Sequence, residues 1–415
     1  MTPLAKKTDN ENLISNPDVL YKYSVDLIVV MTFLIIAGIY LNGFNAIITT
    51  AFSVLTAVIC EDIGCRIMKR HDKKAHNLYA AATGLAIAIM LPATVPAYIP
   101  VIASAFAVIA VLIPFGSARK VPFVPAAAGL SFVTVCFKEA VFTYAPITVG
   151  TSSPIFGSEN FIAEESFSSM LTYGRSVIFN PLEILSLLMG RHSGPMGATC
   201  VLVLVGAGFY LLFKRKGEAV VSAAFVATCA VYAAIFPRVS SGALSSVAME
   251  LTSGTLLFCA IVLLPDPFTA PQTNGGRALY GFVGGIICML LRRYGAFEES
   301  VFFTILMMNA ISPAVGDYFS VFTSSLREKG ILKEKKLVFA EIKPHKEKAP
   351  KAQKAEKKPK EKPVRKSKRE KKISEAEEKA KKTVAEIDLL SYEELMNFDD
   401  TPEIENEQKE GGADE

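Results

Sequence analysis

The chain has 415 residues, 51% of them hydrophobic and 20% charged, with a net charge of +4 at pH 7. The apolar residues fall in runs of roughly 16 to 24, long enough to cross a hydrocarbon core of about 30 Å. That patterning excludes an ordinary soluble domain, and so small a net charge is only an average over very different regions.

Met1 to Lys22 is polar, so no cleavable leader is expected ahead of the first apolar run. Apolar runs lie near 25–41, 45–60, 77–91, 99–115, 124–143, 194–213, 219–236, 243–264, 278–292 and 300–316. The first two are joined by a short Asn42-Gly43 turn. Lys6, Lys7 and Lys22 precede the first run, and Arg66, Lys69, Arg70, Lys73 and Lys74 follow the second. Arg119 and Lys120 follow the fourth, and Lys214, Arg215 and Lys216 the sixth. With ten spans these cations share one side with both termini, which the positive-inside bias makes the cytoplasm. Arg292 and Arg293 fall on the other side as a local exception.

A long outer loop, 145–193, parts the membrane region into a first half, 23–144, and a second, 194–318. AIAIMLP at 86–92 is echoed by CAIVLLP at 259–265. The chain is therefore expected to be an all-α integral membrane protein of about ten transmembrane helices in two inverted five-helix halves. After roughly Leu332 the character changes. Lys333–Lys382 holds 21 Lys/Arg and 9 Asp/Glu, and Thr383–Glu415 holds 1 Lys and 12 Asp/Glu. The region 319–415 is expected to be a charged, largely disordered cytoplasmic tail, because it offers too little apolar surface to offset chain entropy. Its basic block suits anionic lipid or plain solvation. It lacks the aromatic platforms of a nucleic-acid binder. Ile387, Leu390, Leu395 and Phe398 could share one helical face, as a docking peptide or as a nascent helix.

Seven cysteines lie in or beside apolar runs without a CxxC pair, which reads as small buried residues. The four histidines form no ligand-spaced set. Glu250 sits inside the eighth run beside Thr252 and Ser253, either on a proton or cation path or paired near a helix end. Asp266 stands in a turn that Pro265, Pro267, Pro271 and Gly276 keep from being helical, as an ion partner or as a cap of the next segment. Glu298 and Asp317 read as solvated interfacial residues, and Lys138-Glu139 as a weak surface pair. There is no phosphate-binding glycine loop and no Ser/His/Asp set with a supporting motif.

The order Asp266-Pro267-Phe268-Thr269-Ala270-Pro271, Gly276-Arg277, Tyr280-Gly281, Arg292, Glu298 and Leu306-Met307-Met308-Asn309-Ala310 with Pro313 resembles one family. It is the RnfD family of Rnf-type electron transport complexes, with the related NqrB proteins of sodium-pumping NADH:quinone reductases. Thr83–Pro92 and Gly190–Leu212 are similar to further stretches of that family, so the resemblance spans roughly 20–318.

The resemblance implies a multi-pass subunit of the bacterial cytoplasmic membrane in a redox-driven translocase of Na⁺ or H⁺. Its partners would be other membrane subunits and iron–sulfur or flavin subunits. It would relay electrons through flavin or line the ion path, for which Glu250 and Asp266 are the candidates read above from the residues themselves. FMN is the implied cofactor, joined through its phosphate to the threonine of an outer Ser-Gly-Ala-Thr motif, and riboflavin is a second possibility. Here the motif's place is taken by Ser166–Leu171, with Ser169 in the threonine's position and the glycine and alanine gone. The Gly-rich turn and Asn expected near Phe115–Val124 are also lost, with Gly116 alone remaining. The chain thus reads as a diverged member; a flavin-free structural subunit or an inverted-repeat solute transporter or channel are the other readings.

Overall fold

The computed structural model describes residues 17–70, 72–116, 120–145, 163–173, 181–239 and 242–328. Residues 146–162 and 174–180 of the expected outer loop and the tail beyond 328 lie outside these residues. Helix α1 is Pro17–Asn42, α2 Phe44–Ile67 and α3 Lys73–Met90. Next come α4, Tyr98–Phe106, widening into a π-helical Ala107–Leu112, then α5, Pro125–Cys136, and α6, Lys138–Val141. The short α7, Phe167–Thr172, and α8, Pro181–Met189, fall within the 145–193 connection. Then follow α9, Val201–Lys214, α10, Ala219–Ile235, and α11, Ala243–Thr252. A short α12, Leu256–Phe258, continues as π-helical Cys259–Leu263. Two long helices, α13, Asn274–Tyr294, and α14, Val301–Glu328, complete the order.

Among the described residues four helices are long and apolar enough to cross a membrane: 18–42, 44–67, 274–294 and 301–319. The pair 243–252 and 256–263, bent by 69°, makes a fifth if counted as one span. The chain is a multi-pass membrane protein. The apolar segments 98–112, 125–136, 201–214 and 219–235 are shorter than the ~20 residues a perpendicular span needs. One contiguous core runs from Leu20 of α1 to Met308 of α14.

Local chemistry explains the breaks. Gly43 turns α1 into α2 with φ 69°, where a side chain would be strained. The apolar run at 194–213 is not one helix. Gly194, Pro195 and Gly197 interrupt it, and the segment docks instead on the end of α3, with Met196 N–H donating to the Leu91 carbonyl and Gly197 N–H to that of Ile89, both at 3.0 Å. The run at 243–264 breaks between Thr252 and Leu256, where Gly254 takes φ +67°. The run at 124–143 divides at Phe137. The last run extends through Pro313 to Glu328. Helices α10 and α13 approach most closely where α13 presents glycine. A Cβ at Gly281 would stand 2.5 Å from the Val221 carbonyl oxygen, the small-residue packing that membrane helices use in place of a hydrophobic driving force.

Candidate functional sites at the two ends of α13

Helix α13 has 21 residues, about 30 Å at 1.5 Å per residue. A buried polar cluster lies at each of its ends.

At its C-terminal end Arg292 is 2% exposed. Its Nη1 donates to the Glu250 carbonyl at 2.8 Å, and Nη2 to the hydroxyls of Ser168 at 2.9 Å and Ser253 at 2.8 Å. The Glu250 carboxylate, also buried, lies 3.3 Å from Arg238 Nε and 3.7 Å from Arg292 Nε. Ser168 donates to Glu299 Oε1 at 2.6 Å. Glu299 Oε2 accepts from the Thr255 N–H at 3.1 Å and its hydroxyl at 2.8 Å. The broken turn between α11 and α12 is thereby tied to the α13–α14 loop and to α7. Ser166 caps α7, accepting from the Ser169 N–H at 3.0 Å and donating to Glu298. The structure therefore links Glu250 through Arg292 to Ser168, the chain neighbour of Ser169, whose own N–H bonds Ser166. Ser169 itself is 8% exposed on the first turn of α7.

Glu298 is not the solvated residue expected from its loop position. It is half-buried, and burial first, then the neighbouring Glu299, push its carboxyl up to about 8 from 4.5. A carboxyl raised on folding is destabilised by ionisation, so the fold loses stability as pH climbs from about 4.5 towards 8. Glu298→Gln stays neutral and is expected to flatten the pH dependence of the melting temperature across that window. A thermal-melt series in detergent checks this.

Lys138 does not pair with Glu139; its ammonium donates to the Ala296 carbonyl at 3.0 Å and lies over the Phe297 ring. Both cations of the Arg292-Arg293 pair have partners within the protein. Arg292 is consumed by the Glu250 pair, and Arg293 by the Phe236 carbonyl and ring.

At the other end of α13 the π-helical end of α12 runs into Pro265-Asp266. Asp266 is 2% exposed. Its Oδ1 accepts from the Phe268 N–H at 3.0 Å, and its carbonyl from Ala270 N–H at 2.9 Å. Asp266 thus closes its own turn and does not cap the next helix, α13, whose cap is Thr273, its hydroxyl accepting from the Gly276 N–H at 3.2 Å. Oδ2 accepts from the Tyr79 hydroxyl at 3.2 Å. Tyr23 and Phe268 meet edge to face at 5.4 Å beside it. The Arg215 guanidinium lies 4.1 Å over the Tyr23 ring and bonds Asp26 at 3.1 Å and Glu218 at 3.3 Å. A cavity of about 20 Å³ adjoins Asp266, Tyr79 and Thr83, room for about one water or small cation.

Sequence reasoning missed Arg238, Ser168 and Glu299 as partners, and also a third buried group. Glu61 of α2, 1% exposed, binds Arg70 at 2.6 Å with His76 Nδ1 at 3.4 Å. A carboxylate at the end of an apolar run, like Glu250, was the available signal.

The comparisons with known proteins agree on one family. The model of the NQR2, RnfD, RnfE family matches residues 8–322, through all three buried groups. Proteins from Salmonella paratyphi A, Salmonella dublin and Salmonella newport, each named as the D component of an ion-translocating oxidoreductase complex, are 25% identical over 314 residues. Those alignments cover 69% of this chain and 88% of each relative.

Proposed function

Because this chain belongs to the NQR2, RnfD, RnfE family, we propose that it is the membrane subunit of a bacterial ion-translocating oxidoreductase complex, working with separate redox subunits. The observation that carries this reading is the family match across 8–322, which takes in the buried carboxylate of Asp266 at the broken element. The proposed layout is ten spans in two inverted halves in the inner membrane, both termini inside. Helix α3, the bent pair and the four shorter apolar helices would then supply the six crossings beyond the four long ones. Tyr79, Phe268 and the ends of α12 and α13 would hold Asp266 for an ion step. Glu250 is less suited to a cation, because two guanidiniums face it.

FMN on Ser169 fits the α7 cluster in one specific respect. Arg238 donates to the Leu171 carbonyl at 3.3 Å, yet its Nη2 is buried without a hydrogen-bond partner. Arg238 thus reaches α7 two residues from Ser169, and a seryl phosphate within its reach would give that orphaned donor an acceptor. Ser169 would carry the phosphate, with Arg238 facing its charge and Arg292 holding Ser168 in place. The flavin, when bound, supplies one- or two-electron transfer. The protonated Glu298 lowers the negative charge that a phosphate would meet.

Purification tests both parts. The protein is expected to copurify with iron–sulfur and flavin subunits, and its denatured band to fluoresce as a flavoprotein, with the fluorescence lost in Ser169→Ala. Absence of fluorescence from the wild-type band would remove the covalent flavin and leave a structural role in the complex. Purification of the chain alone, with solute movement in vesicles, would replace the complex by a transporter.

A further inference from the structure

A cavity of about 260 Å³ lies between α1, α9, α10 and α12. Its walls are apolar over most of their extent, with Leu27, Val205, Phe209, Leu212 and Ile261 among them. Phe209 and Leu212 are themselves about half exposed on the outer surface of α9, at 57% and 47%, so the cavity borders the lipid side of the helix. One end is different. Tyr23, Arg215, Glu218 and Ser222 line it there, at the turn between α9 and α10.

That turn is crowded with cations. Lys214, Arg215 and Lys216 are consecutive. Arg277 from the start of α13 is laid against them, close enough that a Cβ on Gly217 would stand 2.3 Å from its Nη1. Against these four cations stand two carboxylates, Asp26 and Glu218, and Arg215 takes both. Lys214 shares Asp26, and Lys216 is exposed. Positive charge is therefore in excess at the polar mouth of an apolar cavity that opens on lipid.

We infer that this cavity seats an acyl chain of an anionic phospholipid, with the phosphate at the Lys214–Lys216 turn beside Arg277. The occupant must be long, apolar and negatively charged at one end, and a phospholipid meets all three demands. Within a bilayer an acyl chain gains little by moving from lipid to an apolar groove, so selectivity rests on the head group. Basic pockets between helices at the cytoplasmic face recognise anionic head groups in this way. The inner-leaflet assignment rests on the orientation proposed above; the binding itself does not.

The test uses the full chain, purified in detergent and exchanged into nanodiscs or micelles containing either phosphatidylglycerol or phosphatidylcholine. Native mass spectrometry then counts retained phospholipid. Phosphatidylglycerol is expected to stay bound through washes that strip phosphatidylcholine. Lys216→Gln, a surface change that should leave the fold intact, is expected to weaken retention by about 5-fold, the worth of one basic residue near an anionic head group. Ser222→Phe, which fills the polar end, is expected to abolish retention while the melt in phosphatidylcholine stays cooperative. Equal retention of the two lipids, or unchanged retention in Lys216→Gln, would overturn the inference. So would extraction of an aromatic cofactor from the cavity with no lipid phosphorus. Orientation is read separately, from labelling of a cysteine placed at 216 in closed vesicles. An outward-facing label with intact lipid selectivity would overturn the orientation alone.

Discussion

Arg292→Leu is expected to be among the most damaging single substitutions in this chain, costing about 3–5 kcal/mol of stability. The guanidinium donates to the Glu250 carbonyl, to Ser168 and to Ser253, and lies beside the Glu250 carboxylate. Removing it leaves a carboxylate at 1% exposure with Arg238 as its remaining charged partner. It also takes a donor from two buried hydroxyls. The penalty is larger than the interaction's own worth, because unpaired buried charge is what costs. Melting in detergent should show a large fall in Tm. Adding Glu250→Gln should recover part of it, since the uncompensated charge is then gone, and a double mutant no better than Arg292→Leu would refute the ion-pair account. The same substitution should loosen α7. Limited proteolysis near Ser168 is therefore expected to accelerate, even where the helices remain folded.

Gly254→Val is the second large expected effect. Two independent costs coincide at this position. The backbone sits at φ +67°, which a β-branched residue strongly resists. A Cβ built there would also fall 1.5 Å from Glu299 Oε1, so the carboxylate that holds Thr255 and Ser168 would have to leave. Its displacement opens the turn between α11 and α12 and frees the hydrogen-bond donors gathered around it. The expected outcome is loss of the folded monodisperse species in size-exclusion chromatography. Gly254→Ala should be milder, and pairing it with Glu299→Gln should not rescue it, because the steric conflict and the backbone strain both persist. A rescue would place the problem in charge instead.

These two residues show where local pattern stops being informative. Arg292 was visible as a cation on the wrong side of a span, but its role depends on Ser168, 124 positions away in the chain. Gly254 lies inside the apolar run 243–264, with nothing in its sequence neighbours to single it out. Its importance comes from Glu299, a residue from another loop packed against it.

Composition and order alone were enough to establish the membrane class, the breaks at Asn42-Gly43 and at Pro265–Gly276, and the family resemblance through Asp266–Pro313. Hydropathy and proline or glycine punctuation act over neighbouring residues, so they are legible without a fold. Asp266 closes the 266–270 turn, but the cap of the next helix that its position suggested falls to Thr273. Only the tertiary structure decided that the 194–200 segment docks as a loop, and that Glu250 is neutralised by two arginines. The tie between Ser166–Ser169 and Glu298–Glu299 also comes from the fold. A buried charge finds its partner wherever packing brings an opposite charge or a hydroxyl into the same water-free space. That proximity is a property of the folded chain, with no signature in sequence spacing.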